Sequence, residues 1–432
     1  MTPGVVIAAP SSGSGKTILT LGLLRAFRDA GLVAGSAKIG PDYIDPRFHE
    51  AASGRPSVNL DGWAMRRDRI LALAAQAGQG ADILVVEGVM GLFDRPAEPG
   101  IEGDGGAASV AKTLGAPVVM VLDASGMAQS AGALAAGFRD FDRDVEFAGV
   151  ILNRVASPRH EALSREGCAA AGVTVFGAVP RRAQLATPSR HLGLVQAEEV
   201  EGLEARIREA AELIAASVDL DALRAAARPF AKPSGAPAPF RPLGAGIAIA
   251  SDVAFRFAYP HLLEGWRDAG AGISFFSPLA DQAPDRSADA VFLPGGYPEL
   301  HAGRIAAAAD FRAGLRAAAK RGAAIYGECG GYMVLGEGLI DGEGRAHEML
   351  GLLPLETSFA TRRLHLGYRD ARLVAAGPLG PAGDRLLAHE FHYATTVREG
   401  AAEPLFRLAS GGTSGLRRGR VTGSFLHVID RG

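Results

Sequence analysis

The chain has 432 residues, 48% of them in the set AVILMFWYC and 21% charged, with a formal net charge of −2. That length exceeds one ordinary core and calls for two domains, while the interspersed acids and bases form no basic stripe and so argue against nucleic acid as a partner. The longest apolar runs, such as residues 117–122, are too short to span a bilayer, and two cysteines cannot make a disulfide framework. Residues 5–9 run without a charged lead into a Gly/Ser loop, as a buried strand opening a fold does and a signal peptide does not. A cytoplasmic enzyme is expected, with no membrane partner.

In chain order, residues 5–9, 83–87, 118–123 and 149–153 read as strands buried on both faces. Residues 18–30, 67–77 and 197–216 read as helices between or after them. This alternation predicts a parallel sheet with helices on both sides. The rhythm stops in the proline-rich stretch 229–244, a linker by composition, and restarts with strands at 247–250, 273–276, 290–293 and 323–326. The expected organisation is therefore two α/β domains, residues 1–228 and 245–432.

Residues 10–17 read Pro-Ser-Ser-Gly-Ser-Gly-Lys-Thr at a strand-to-helix junction. They match the phosphate-loop pattern G-x-x-x-x-G-K-[ST], except that Pro10 replaces the first glycine. Gly13, Ser14 and Gly15 would wrap backbone N–H groups around an anion at the helix N-terminus. Lys16 would reach the β/γ-phosphates of ATP, and the Thr17 hydroxyl would ligate Mg²⁺. A second metal carboxylate is needed at the end of another buried strand, and Glu87 is placed for that; a solvent-facing acid is the plain alternative. Residues 38–49 display Asp42 and Asp45 between two prolines in what reads as a loop; alone it could be only a turn with Asx caps.

Three of these segments carry a resemblance. Residues 38–46 (KIGPDYIDP), Asn59-Leu60-Asp61 and residues 86–94 (VEGVMGLFD) resemble the cobyrinic acid a,c-diamide synthase family. The Pro10 form of the loop is similar to that family and to its relative dethiobiotin synthetase. The resemblance implies a P-loop NTPase-like, dethiobiotin synthetase-like first domain that activates a carboxylate as an acyl phosphate. It also implies that Asp42, Asp45 and Glu87 hold Mg²⁺, with Asp42, Tyr43 and Asp45 positioning the substrate. Partition-type switch ATPases share such folds but carry an extra lysine near the start of the loop, where this chain has Ser11.

In the second half, residues 325–331 (IYGECGG) form an apolar strand running into a glycine-crowded turn. A nucleophile on such an elbow needs small neighbours. Cys329 is thus the candidate nucleophile, with a helix expected to start near Tyr332 whose N-terminus lowers the thiol pKa. Cys168, inside an alanine-rich helix, reads as a small buried hydrophobe. A cysteine nucleophile needs a base, and His427 lies in residues 421–429, read as one apolar strand. This segment resembles the end of a class I glutamine amidotransferase (flavodoxin-like) domain, in which an acid normally follows the histidine by two positions. Here that position is Ile429, so a Cys329–His427 dyad is expected, with the orienting group open. Gly295 and Gly296 of residues 293–299 (LPGGYPE) form a turn able to aim N–H groups at an oxyanion.

Residues 252–260 and 389–393 (HEFHY) also match the diamide-synthase pattern. His389 and His392 are three apart, so a strand places them on opposite faces, which argues against a zinc site built from that pair. Taken whole, the resemblance implies ATP- and glutamine-dependent amidation of the a and c carboxylates of a corrinoid acid, cobyrinic or hydrogenobyrinic, in cobalamin biosynthesis. A related nickel tetrapyrrole is a further acceptor. The nearest rival is a cobyric acid synthase amidating four other carboxylates; the rival of another class is the switch ATPase. A homodimer through the first domain is an analogy to dethiobiotin synthetase.

Overall fold

A computed structural model of the chain describes residues 1–182 and 196–432. The chain divides into two compact units, Met1–Pro237 and Ala238–Gly432. Among the described residues no helix is long and apolar enough to cross a membrane.

The first unit is built on strands β1 (Pro3–Ala8), β2 (Ala34–Ile39), β3 (Val58–Leu60), β4 (Ile83–Glu87), β5 (Val118–Asp123), β6 (Phe147–Val155), β7 (Val175–Pro180) and β8 (Arg228–Pro229). Seven of them run in the order β3-β2-β4-β1-β5-β6-β7, all parallel, while β8 pairs antiparallel with the start of β1. Strands β2, β4 and β5 are buried along almost their whole length because helices cover both faces. The strand order places the C-terminal ends of β1, β2 and β4 side by side, and there the phosphate loop and Glu87 meet.

Two expectations in this unit change. The acids of residues 42–45 do not all lie in a loop: Asp45 opens a helix, Asp45–Ser53, with Pro46 in its first turn, where a missing N–H costs nothing. The helix expected over 197–216 is a 3₁₀ turn, Ala197–Glu199, followed by the helix Leu203–Ser217. Gly202 between them has φ +68°, which interrupts the helix. The proline-rich stretch does not hang free either. Phe230 is 3% exposed, the N–H of Ala231 donates to the Leu114 carbonyl at 2.7 Å, and Ser234 bonds Asp68 through both backbone and hydroxyl.

The second unit adds β9 (Gly246–Ala250), β10 (Gly272–Phe276), β11 (Ala290–Leu293), β12 (Ala324–Glu328), β13 (Gly338–Ile340), β14 (Ala346–Glu348), β15 (Leu355–Ser358), β16 (His365–Leu373), β17 (Arg385–His392), β18 (Thr395–Glu399), β19 (Glu403–Leu408), β20 (Thr413–Arg418), β21 (Val421–Ser424) and β22 (Leu426–Arg431). Its main sheet runs β10-β9-β11-β12-β21-β20-β19-β16-β17-β22, and a smaller sheet runs β14-β13-β15-β18. The β10–β12 and β21 part is parallel, and β20, β19, β16, β17 and β22 are antiparallel. The segment expected to be one strand over 421–429 is two. The Ser424 hydroxyl accepts from Leu426 N at 3.1 Å and breaks the ladder at Phe425, so β21 pairs with β12 while β22 crosses to β17.

Candidate active sites

In the first unit the loop 10–15 leads into the helix Lys16–Asp29. Gly13 and Gly15 have φ of +81° and +95°, and a Cβ on Gly15 would lie 2.4 Å from Asn153 Nδ2, so neither steric space nor backbone geometry admits another residue there. The Ser14 hydroxyl turns back onto the Ser11 carbonyl. Lys16 Nζ donates to the Met90 carbonyl, and its pKa is lowered by burial and by the Lys38 charge.

Glu87 is the centre of this site. It is fully buried and accepts from the Thr17 hydroxyl at 2.7 Å, from Lys38 Nζ at 2.9 Å and from His49 Nε2 at 2.7 Å. Burial opposes its charge, yet Lys38 and His49 hold it well below the usual carboxylate range. Lys38 also pairs with Asp45 at 2.6 Å, and these carboxylates overcome its burial and raise it. Asp42 caps the turn, accepting from Ile44 N and Asp45 N; burial and the neighbouring Asp45 push it up to about 7. Tyr43 is 8% exposed. Thr17 and Glu87 form a hard-oxygen pair that fits Mg²⁺ completed by phosphate oxygens.

Lys38 and His49 were not singled out from the sequence, and neither were Asn153 and Arg154. Asn153 Nδ2 donates to the Ser14 carbonyl at 2.8 Å and Arg154 Nη2 to the Gly13 carbonyl at 2.8 Å. These two bonds clamp the phosphate loop from the end of β6. Arg154 at φ +58° is the local signal of a constrained strand end.

In the second unit Cys329 sits between β12 and the helix Gly330–Leu335 with φ +47° and ψ −104°, a conformation costly for any non-glycine residue. The elbow is held by Cys329 N donating to the Ser424 carbonyl at 2.8 Å. Its glycines are steric necessities: a Cβ on Gly331 would lie 1.9 Å from the Leu293 carbonyl oxygen, and one on Gly423 2.5 Å from Tyr332 Cδ2. The helix starts at Gly330, two residues before the expected place. The expected lowering of the thiol pKa is overturned: burial and the nearby Glu299 push it well up, and the Gly330 N–H offsets them only in part.

Cys329 and His427 meet at Gly295. A Cβ there would lie 2.3 Å from His427 Cε1, 3.2 Å from His427 Nε2 and 3.3 Å from Cys329 Cβ. The Gly295 carbonyl accepts from Phe257 N at 2.9 Å, so the segment 252–260 buttresses this turn. Asp252 in turn anchors that segment, accepting from Ala254 N, the Ser277 hydroxyl and Leu279 N. Gly296 N lies 3.1 Å from the Cβ position of Gly330, directly at the elbow. Burial and the nearby His389 and His392 lower His427 to about 3, which disfavours the imidazolium.

The orienting acid left open by Ile429 has a candidate in Glu328, the residue before the nucleophile. Its Oε2 lies 3.7 Å from His427 Nδ1, while Oε1 accepts from the Tyr326 hydroxyl at 2.8 Å and Val428 N at 3.0 Å. Burial pushes Glu328 up to about 8. His389 pairs opposite His427 across β17 and β22. Cys168 is buried and takes no part in this site.

Residues 5–195 match the model of the CobQ/CobB/MinD/ParA nucleotide binding domain, and residues 246–431 that of the CobB/CobQ-like glutamine amidotransferase domain. The hydrogenobyrinate a,c-diamide synthase of Rhodobacter capsulatus is 57% identical over 431 residues, covering 99% of this chain and 98% of that protein. The enzyme of the same name from Brucella abortus is 55% identical over 437 residues, and that from a Sinorhizobium species 53% over 434, each with the same coverage. With a nucleotide-binding α/β unit and a glutamine amidotransferase unit in that order, the chain belongs to the hydrogenobyrinate a,c-diamide synthase family.

Proposed function

We propose that the chain amidates the a and c carboxylates of hydrogenobyrinic acid, using ATP and glutamine, in cobalamin biosynthesis. The observation that carries this reading is Cys329 on its glycine elbow with His427 beside it at the Gly295 turn, in a chain that also holds a phosphate loop facing Glu87. Carboxylate and ammonia do not condense at neutral pH, and these two sites supply the two missing steps. The names of the relatives favour the metal-free ring over the cobalt-containing one and two amidations over four.

In the first unit, Gly13, Ser14 and Gly15 cradle the ATP phosphates and Lys16 neutralises the group being transferred. Thr17 and Glu87 would hold Mg²⁺, with Asp42 and Asp45 beside them; the ion supplies charge neutralisation for phosphoryl transfer to the substrate carboxylate. Lys38 keeps Glu87 ionised and ties Asp45 beside it. The carboxylate oxygen takes the γ-phosphoryl group, giving an acyl phosphate and ADP.

In the second unit, Cys329 Sγ attacks the side-chain amide carbon of glutamine while His427 takes the thiol proton. Backbone N–H groups of the Gly295-Gly296 turn and the elbow stabilise the oxyanion. His427 returns the proton to the leaving nitrogen, ammonia departs, and water then cleaves the glutamyl thioester. Ammonia displaces phosphate from the acyl phosphate and leaves the amide.

Mass spectrometry of hydrogenobyrinic acid incubated with enzyme, MgATP and glutamine tests this, beside a Cys329→Ala variant. Two acid-to-amide conversions are expected, and the variant should achieve them only with free ammonia. Four conversions on a diamide would move the reading to a cobyric acid synthase, and ATP hydrolysis with no glutaminase activity would move it to a switch ATPase.

A further inference from the structure

Strands β16 and β17 pair antiparallel with His365 directly opposite His392. Glu390 lies two residues before His392 and so shares its face of the sheet. Donor atoms of His365, Glu390 and His392 all lie within 4.8 Å of one another. The sequence hides this set, because His389, the histidine nearest His392 in the chain, falls on the other face.

The bonding around His392 is specific. Its Nδ1 lies 3.1 Å from the Ala394 carbonyl, which only accepts, so that nitrogen carries a proton. The other nitrogen, Nε2, faces Glu390 Oε1 at 3.2 Å. Glu390 is an ionised partner: its second oxygen, Oε2, pairs with Arg369 Nη2 at 2.6 Å. With Nδ1 protonated, Nε2 meets a carboxylate oxygen, a contact that needs a positive centre, a second proton or a metal ion, between the two atoms. A second proton on His392 would serve that one pair. A metal ion also accounts for the third donor, His365.

The spacing suits a metal. Ligand atoms about 2.1 Å from a tetrahedral ion lie about 3.4 Å from one another, and Glu390 Oε1 and His392 Nε2 already do. Both are held from behind, by Arg369 and the Ala394 carbonyl, as ligands commonly are. Phe425 stacks on one face of His392 at 3.9 Å and His365 on the other at 4.5 Å. His365 is half-buried and needs only to turn about its side-chain bonds to bring its nitrogen inward.

We propose that His365, Glu390 and His392 form a site for a borderline divalent transition metal of the zinc class, with solvent in the fourth position. The site clamps the ends of β16 and β17. It is next to the nucleophile: Phe391, between two of the ligands, offers its carbonyl 3.7 Å from Cys329 Sγ. The ion would thus fix the strand that backs the thiol.

The test uses full-length chelator-stripped protein carrying Cys329→Ser, which removes the thiol as a competing ligand, in excess Mg²⁺ to fill the phosphate-loop carboxylates. Zn²⁺ is titrated against a chromogenic chelator. One equivalent per chain is expected, weakened at least about tenfold by His365→Ala and by Glu390→Gln, and Co²⁺ in place of Zn²⁺ should give a tetrahedral absorption spectrum lost in both variants. Circular dichroism confirms that each variant is folded, and Glu390→Gln carries the test should His365→Ala not be. Absence of stoichiometric binding assigns the pair to a second proton on His392 and overturns the proposal. Binding unchanged in the variants overturns it equally.

Discussion

Glu328 Oε2 faces His427 Nδ1 at 3.7 Å, so a carboxylate beside this imidazole comes from the residue before Cys329, not from the strand that carries the histidine. Val428 N and the Tyr326 hydroxyl fix the opposite oxygen of Glu328. The thiol, the imidazole and the carboxylate are thereby locked to β12 and β22, two strands not adjacent in the sheet.

The ionised form of Glu328 stabilises the imidazolium that forms on His427 far better than the neutral acid does. With Glu328 pushed up to about 8, glutaminase kcat should climb as pH rises through about 8. Glu328→Gln should remove that limb and lower kcat by about 10²-fold, the scale of a misdirected general base, with KM for glutamine little changed. Steady-state ammonia release across pH 6–10 checks both; an intact alkaline limb in the variant would sink the role given to Glu328.

Gly295→Ala should abolish glutaminase activity, because the added methyl would strike His427 Cε1 and crowd Cys329. Amidation with free ammonia should persist near the parent rate, since the first unit is untouched. Parallel assays with glutamine and with ammonium chloride read the difference.

Lys38→Met leaves Glu87 buried without its ammonium partner, and such an uncompensated charge typically costs about 3–5 kcal/mol. Urea denaturation should show the first unit losing stability on that scale, with Glu87→Gln in the same chain restoring part of it. An additive double variant would show that the pair is not coupled.

Stability of the second unit should be greatest on a plateau between about pH 4.5 and 6.5 and fall on both sides. Burial pushes Glu299 and Glu328 up to about 8; the stability they contribute is complete below the usual carboxylate range and is lost as pH rises through about 8. His427 and His389 are lowered to about 3 and about 4. The unfolded chain takes up their protons below about 6.5, which offsets the carboxyl gain down to about pH 4.5 and lowers stability below that. Calorimetric melting from pH 4 to 9 checks the shape, and Glu299→Gln should flatten the alkaline side.

What was legible in the sequence was chemistry written in consecutive residues. Gly-Ser-Gly-Lys-Thr and Gly-Glu-Cys-Gly-Gly each carry their own backbone requirement, so both loops could be read without a partner. Glu87 was legible as a strand end, but Lys38 and His49 reach it only because β2 lies beside β4 in the sheet. His365 meets His392 through a register that no local pattern announces. The thiol was misjudged for the same reason: a helix N-terminus can be read locally, whereas burial beside Glu299 depends on a turn 30 residues away. The helix opened by Asp45 was within reach, since Pro46 is a signal for a first turn.

The proline-rich strap bears on how the halves can be separated. Pro229 pairs with Pro3 at the mouth of β1, and the Phe230 ring fills the space over Gly4, where a Cβ would come within 2.6 Å of Cζ. A first half expressed to residue 228 would lose this plug and bare the edge of its central strand to other chains. Cutting after Pro237 keeps the plug in place, so the composition of a segment is a poor guide to where the scissors belong.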